Sequence, residues 1–84
     1  ELKQDFPNPF NPNTRIEYQV VNPGRVRLSV FNNLGQKIRD LVNRKQKQGR
    51  YQVTFKANGL PAGVYFYRLQ INKKEMVRKM VYLP

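Results

Sequence analysis

The chain of 84 residues contains no cysteine, no histidine and no tryptophan, and a single serine. Without cysteine there is no disulfide staple and no thiolate metal site. Without histidine a serine nucleophile has no imidazole to take its proton. Ser29 lies inside a run of alternating residues and reads as a surface residue of a strand. Acidic residues are few and scattered: Glu1, Asp5, Glu17, Asp40 and Glu75. Glycosidic or metal chemistry needs two carboxylates to converge. Glu17 and Glu75, on different strands, are the one pair left open, and a lone carboxylate on a strand is ordinarily solvated. No Gly-rich phosphate loop or metal-ligand spacing is present. No apolar run approaches the ~20 residues of a membrane-spanning helix. These absences argue against catalysis and predict a domain without cofactor or metal.

What is present in excess is positive charge: sixteen Lys or Arg against five Asp or Glu, a formal net charge of +11. Such a surface attracts anions such as phosphate, nucleic acid, anionic lipid or acidic polysaccharide. It also keeps a small domain soluble by self-repulsion, and charge alone names no partner. The length fits one domain. A domain of this size buries roughly 60–65% of its unfolded surface, so the core is thin. The chain begins at Glu1 with neither an initiator methionine nor the charged and apolar regions of a signal peptide, as expected for the end piece of a longer protein.

Residues 1–13 carry Pro7, Pro9 and Pro12, which fix φ and remove three backbone donors. This stretch is expected to be an irregular lead-in that drops Phe6 and Phe10 into one end of a domain spanning 14–84. From Thr14 the period becomes two: Ile16, Tyr18 and Val20 alternate with Arg15, Glu17 and Gln19. After Pro23-Gly24, Val26, Leu28 and Val30 alternate with Arg25, Arg27 and Ser29. Gly49 opens a third alternating run, Tyr51, Val53 and Phe55 against Gln52, Thr54 and Lys56.

The run from Val64 to Ile71 is apolar on both sides, as in a central strand covered on both faces. Asn72-Lys73-Lys74 forms a hairpin tip. A final strand follows from about Glu75 to Leu83, with Lys79 interrupting its Val77/Val81/Leu83 face, a guard against edge-to-edge pairing.

Residues 36–48 are ambiguous. Ile38, Leu41 and Val42 have helical spacing. A short strand from Lys37 to about Leu41, followed by a solvated basic loop from Arg44 to Gln48, fits as well and is preferred. In that loop Arg44, Lys45 and Lys47, with Arg50 beyond it, are the candidate anion-binding residues, since loop cations reach a ligand without disturbing a fold. Tyr65, Phe66, Tyr67 and Arg68 have the composition of a base-stacking platform, but alternating aromatics on a strand are more simply core. Turn signals at short intervals between such runs predict an all-β antiparallel β-sandwich of six or seven short strands.

Several motifs occur in a fixed order: Asn8-Pro9-Phe10-Asn11-Pro12, Leu34-Gly35-Gln36, Gly49-x-Tyr51, Leu60-Pro61-x-Gly63-Val64-Tyr65, Arg68-Leu69 and Lys79-Met80-Val81. In order and spacing they resemble the C-terminal sorting domain of type IX secretion cargo along essentially the whole chain. The resemblance implies a domain that folds as an immunoglobulin-like sandwich in the periplasm of a Gram-negative bacterium. It implies export of a covalently attached upstream passenger to the cell surface or medium. The implied partners are the outer-membrane translocon and its shuttle barrel, a sortase-like protease that removes the domain, and anionic lipopolysaccharide; no nucleic acid is expected. The last strand is the implied recognition element: Met76, Val77, Arg78, Lys79, Met80, Val81, Tyr82 and Leu83. The alternative is a retained structural or glycan-binding sandwich of a surface protein.

Overall fold

Each alternating run of the sequence forms a strand because every second side chain can leave water for a shared interior. The computed structural model describes residues 12–83, and the motif positions Asn8, Pro9, Phe10 and Asn11, together with Phe6, lie outside them. The described residues form six strands: β1 (Asn13–Val20), β2 (Gly24–Asn32), β3 (Lys37–Gln46), β4 (Gly49–Lys56), β5 (Gly63–Ile71) and β6 (Lys74–Tyr82). They make two antiparallel sheets, one of order β1-β4 and one of order β3-β2-β5-β6. The two sheets pack face to face as an immunoglobulin-like sandwich.

The core is the meeting of the two inner faces. Ile16 and Val20 of β1, Phe55 of β4, Val26, Leu28 and Val30 of β2, and Tyr67 and Leu69 of β5 are fully buried there. Phe55 is capped by Arg39, whose guanidinium lies 5.3 Å from the ring centre and donates to the Lys56 carbonyl at 2.9 Å. Tyr18 stacks on Tyr51 with centroids 5.5 Å apart. The Tyr18 hydroxyl does not reach the solvent rim; it donates to Gln46 Oε1 at 2.7 Å, across from β1 to β3. Burial therefore pushes the Tyr18 hydroxyl pKa upward, partly offset by that hydrogen bond. Tyr18→Phe leaves the buried Gln46 carbonyl without its donor. It is expected to cost about 1–3 kcal/mol, read as a lowered midpoint in urea with an unchanged m-value.

The ambiguous 36–48 segment is one strand of ten residues, longer than the short strand expected, and it absorbs Arg44, Lys45 and Gln46 from the supposed loop. The pairing with β2 skips a residue twice, at Ile38 and at Leu41. These bulges break the period of two, and the broken period is what imitates helical spacing. Gln46 is buried because its amide is the inter-sheet partner of Tyr18. Ser29 is likewise not a surface residue: it faces away from the core yet is fully covered, donating to Asp40 Oδ1 at 2.6 Å.

The β2–β3 turn shows why a glycine is needed. Asn32 Oδ1 accepts from Leu34 N and Gln36 N, and Gly35 N donates to the Asn32 carbonyl. Closing this turn puts Gly35 at φ +81°, in the left-handed region that a Cβ disfavours. Gly35→Ala is expected to cost about 1 kcal/mol from backbone strain alone, since the added Cβ meets nothing within 4 Å. A thermal shift with no change in fold by circular dichroism checks this.

Candidate recognition site

β6 lies at the edge of the four-stranded sheet, with β5 on one side and no strand on the other among the described residues. Its register sets Met76 opposite Leu69, Arg78 opposite Tyr67, Met80 opposite Tyr65 and Tyr82 opposite Gly63. Met80 and Tyr82 are buried and Met76 half-buried. The core-facing side of the strand is therefore Met76/Met80/Tyr82. The Val77/Val81/Leu83 side that the alternation emphasised faces outward, with Val77 half exposed and Lys79 beside it. The residue that interrupts the inner side is Arg78, which is exposed and donates to the Val77 carbonyl at 3.2 Å. An inward-pointing charge on an edge strand discourages uncontrolled pairing with other sheets, and Arg78 takes the role expected of Lys79.

The two-stranded sheet does not extend over all of the four-stranded one. Arg39 on Phe55 and Tyr18 on Gln46 place β4 and β1 near the β3 side. Toward β6 the layers part into a cleft of about 410 Å³ whose lining includes Val21, Ile71 and Met76, with Lys73 and Lys74 also on its walls. The β5–β6 hairpin turns there through Asn72 at φ +54°, a conformation asparagine tolerates better than most residues.

Two loops repeat one local device. Tyr51 donates its hydroxyl to the Lys47 carbonyl at 2.7 Å, and Tyr65 donates to the Pro61 carbonyl at 2.6 Å. In each case the tyrosine follows a glycine by two residues and ties the loop entering its strand. Gly63 enters β5 at φ +146°, and Gly49, at φ +158°, is close to ordinary extended backbone. Tyr65 is buried, which pushes its pKa upward, with Tyr82 adding to the shift. The sequence marked Gly49, Tyr51, Pro61, Gly63, Val64 and Tyr65 as motif positions. The repeated Gly-x-Tyr was the signal for a shared loop closure, and the reach of each hydroxyl to the fourth residue back was missed. Tyr65→Phe is expected to loosen the 57–63 connection at a cost of about 1 kcal/mol, read as faster amide exchange in that connection than in β2.

The basic tract does not form one cluster. Arg44 and Lys45 lie on β3 with alternate orientation, Lys47 follows the end of that strand, and Arg50 lies on β4 in the other sheet. The expected anion-binding loop is thus divided among different surfaces, because three of its five residues are paired in a ladder. The carboxylates do not converge either. Glu17 is beside Arg15 at 3.7 Å on β1, and Glu75 is beside Arg68 at 3.6 Å on β6, in different sheets. No group of three acids able to hold a metal occurs among the described residues.

Among the described carboxylates, Asp40 is tied into the sheet by a side-chain hydrogen bond from Ser29. The Ser29 hydroxyl holds its pKa below the usual carboxylate range, against the opposing effect of burial, and Lys37 at 3.3 Å adds to the lowering. A depressed folded-state pKa contributes stability that is present above the unfolded value of about 4 and is lost as pH falls through the folded value. Ser29→Ala is expected to raise the Asp40 pKa toward the ordinary value, read by carboxyl-carbon NMR titration. An unchanged titration would show that Ser29 is not the cause.

The edge strand, the two tyrosine-tied loops and the glycine turn are thus the features that the motif order marks. No curated protein matches the chain. The family model of the secretion system C-terminal sorting domain matches residues 5–82, nearly the whole chain, and the chain belongs to that family.

Proposed function

We propose that this sandwich is read by the secretion machinery along β6, the last strand in the described order of the four-stranded sheet. As a member of its family the domain is a C-terminal sorting signal for type IX secretion, carried by a passenger protein that is secreted or displayed at the cell surface. The observation that supports the finer reading is the position of β6, which ends the described sheet order β3-β2-β5-β6 next to β5. An exposed sheet edge is a ready template for strand addition by a partner, with main-chain hydrogen bonds giving affinity and alternate side chains giving specificity. Met76 to Leu83 are then the segment read by the translocon and its shuttle barrel. A sortase-like protease afterwards frees the passenger for attachment to anionic lipopolysaccharide.

Residues 1–84 fused behind a periplasmic reporter are expected to carry it out of a type IX-competent cell. Removal of Met76–Pro84 is expected to abolish that export. Because this deletion also takes Met80 and Tyr82 from the core, a second variant keeps the fold: a turn and a strand appended after Pro84 to pair with β6. Undiminished export with the edge covered in this way would sink the edge reading. The intact mass of the mature parent protein from the native host is expected to lack residues 1–84. A mass that includes them would replace removal with retention.

A further inference from the structure

β5 is apolar on both faces, but among the described residues the second sheet packs on only one of them. Tyr65, Tyr67 and Leu69 face the core, while Val64 and Phe66 face outward and are half-buried. Phe66 is directly opposite Phe31 of β2 and Lys79 of β6, and Phe31 is opposite Lys37 of β3. Val77 and Val81 lie on the same outward side of β6. The result is an apolar centre of Phe31, Phe66, Val64, Val77 and Val81 on the outer face of the four-stranded sheet, with Lys79 set between the two valines of β6 and opposite Phe66.

Cations surround this centre. By register the same face carries Arg25, Arg27, Lys37, Lys45, Arg68 and Lys79 against two acids, Asp40 and Glu75. Both acids are already engaged, Asp40 by Ser29 and Lys37, and Glu75 by Arg68. Arg68 lies on the Phe31 ring at 4.7 Å, and its covered Nε has no hydrogen-bond acceptor, Glu75 standing 3.6 Å away. The outer face of the β1–β4 sheet is different: Arg15, Glu17 and Gln19 pair there with Thr54, Gln52 and Arg50, without an apolar residue.

We infer that the outer face of the four-stranded sheet is a second docking surface, for a protein partner with an apolar centre and an acidic rim. An apolar centre with aromatic and Arg residues inside a polar rim is the anatomy of a protein interface. Charge complementarity sets the rim of the partner. Aliphatic valines make up three of the five central residues. They offer a base or a sugar ring no π-face on which to stack, and this favours a protein over a polyanion. The inference rests on the sorting reading. Val77, Lys79 and Val81 belong to β6, so a partner that adds a strand to its edge also borders this face.

The test uses the full parent protein in its native host. Val77→Asp and the double variant Lys37→Glu/Lys79→Glu alter the face without removing a core side chain. Export is expected to fall at least about tenfold, the effect of losing roughly 1.4 kcal/mol of binding. The retained protein is expected to keep the protease resistance of the folded domain. Gln52→Glu on the opposite outer face serves as the control and is expected to be exported normally. A photo-crosslinker at Val77 is expected to mark an Asp/Glu-bordered segment of one envelope protein, and reversing those acids to Lys is expected to restore export of the double variant.

Normal export of both face variants, with the covered β6 edge still blocking export, would overturn this inference and leave the sorting reading standing. Normal export of the face variants and the covered-edge variant together would remove the edge reading as well. Crosslinks to residues 1–11 of the same chain, to a second copy, or to polysaccharide or nucleic acid would overturn the choice of a protein partner.

Discussion

Tyr67→Ala is expected to unfold the domain at neutral pH and ambient temperature. Tyr67 is the largest side chain with no exposure to solvent, at the centre of β5, the strand that joins β2 to β6. Truncating a buried aromatic typically costs about 3–5 kcal/mol, because the transfer energy is lost and a cavity is left behind. A single small core without disulfide or metal rarely supplies more than about 3–5 kcal/mol in total. The expected loss is thus as large as the whole stability, and the variant is expected to lack the cooperative thermal transition of the parent. Phe66→Ala, the neighbouring residue on the outward face of the same strand, is the comparison. It is expected to cost less than half as much, since Phe66 is only half-buried. Equal losses at the two positions would mean that the outward face is covered within the domain itself.

Met80→Asp and Val77→Asp are expected to differ by at least about 3 kcal/mol, the order of cost for an uncompensated buried charge. Both substitutions put a carboxylate on β6. Met80 has no exposure and Val77 is half exposed, so only the first removes its charge from water. Burial raises the folded-state pKa of a carboxyl. In Met80→Asp the folded state therefore holds a proton that the unfolded chain gives up above about pH 4. By linkage its stability falls as pH rises through that value, and its deficit relative to the parent is smallest below it. Urea denaturation of both variants at about pH 3.5 and pH 7 reads the difference. A deficit for Met80→Asp that does not grow between these two conditions would argue that Met80 is not the core-facing residue of β6.

Much of the fold is legible in residue order because the two-residue period is a local property. Ile16, Tyr18 and Val20, and then Val26, Leu28 and Val30, announce their strands and their inner faces, and all six are buried. Residues 37–46 were not legible in the same way. Two bulges shift their pairing, and a bulge is decided by the partner strand rather than by the strand that carries it. For β6 the strand was legible and its inner face was not. Valines and a leucine alternate on one side and methionines with Arg78 and Tyr82 on the other, so hydrophobicity alone favours the wrong side. Packing against β5 selects the methionine side, where Met80 meets Tyr65.

The motif positions were legible as an order of residues, and their physical work was not. That Tyr51 and Tyr65 each tie the loop four residues back depends on a side chain folding over its own turn, which no spacing rule states. The basic tract illustrates how far adjacency in sequence is from adjacency in the fold. Cations adjacent in sequence suggested one site, while the ladder sends Lys45 and Arg50 to different sheets.

The sequence by itself determined that this is a small β domain with a surplus of cations and no histidine or cysteine, bearing the ordered motifs of a sorting domain, since composition and period are fixed in the chain. The tertiary structure decided the rest: which strand is left at an edge, which face of β6 is buried, and that one outer sheet face gathers Phe31, Phe66 and their surrounding cations. These are relations between strands distant in sequence, set by register and sheet order, and local pattern carries no term for them.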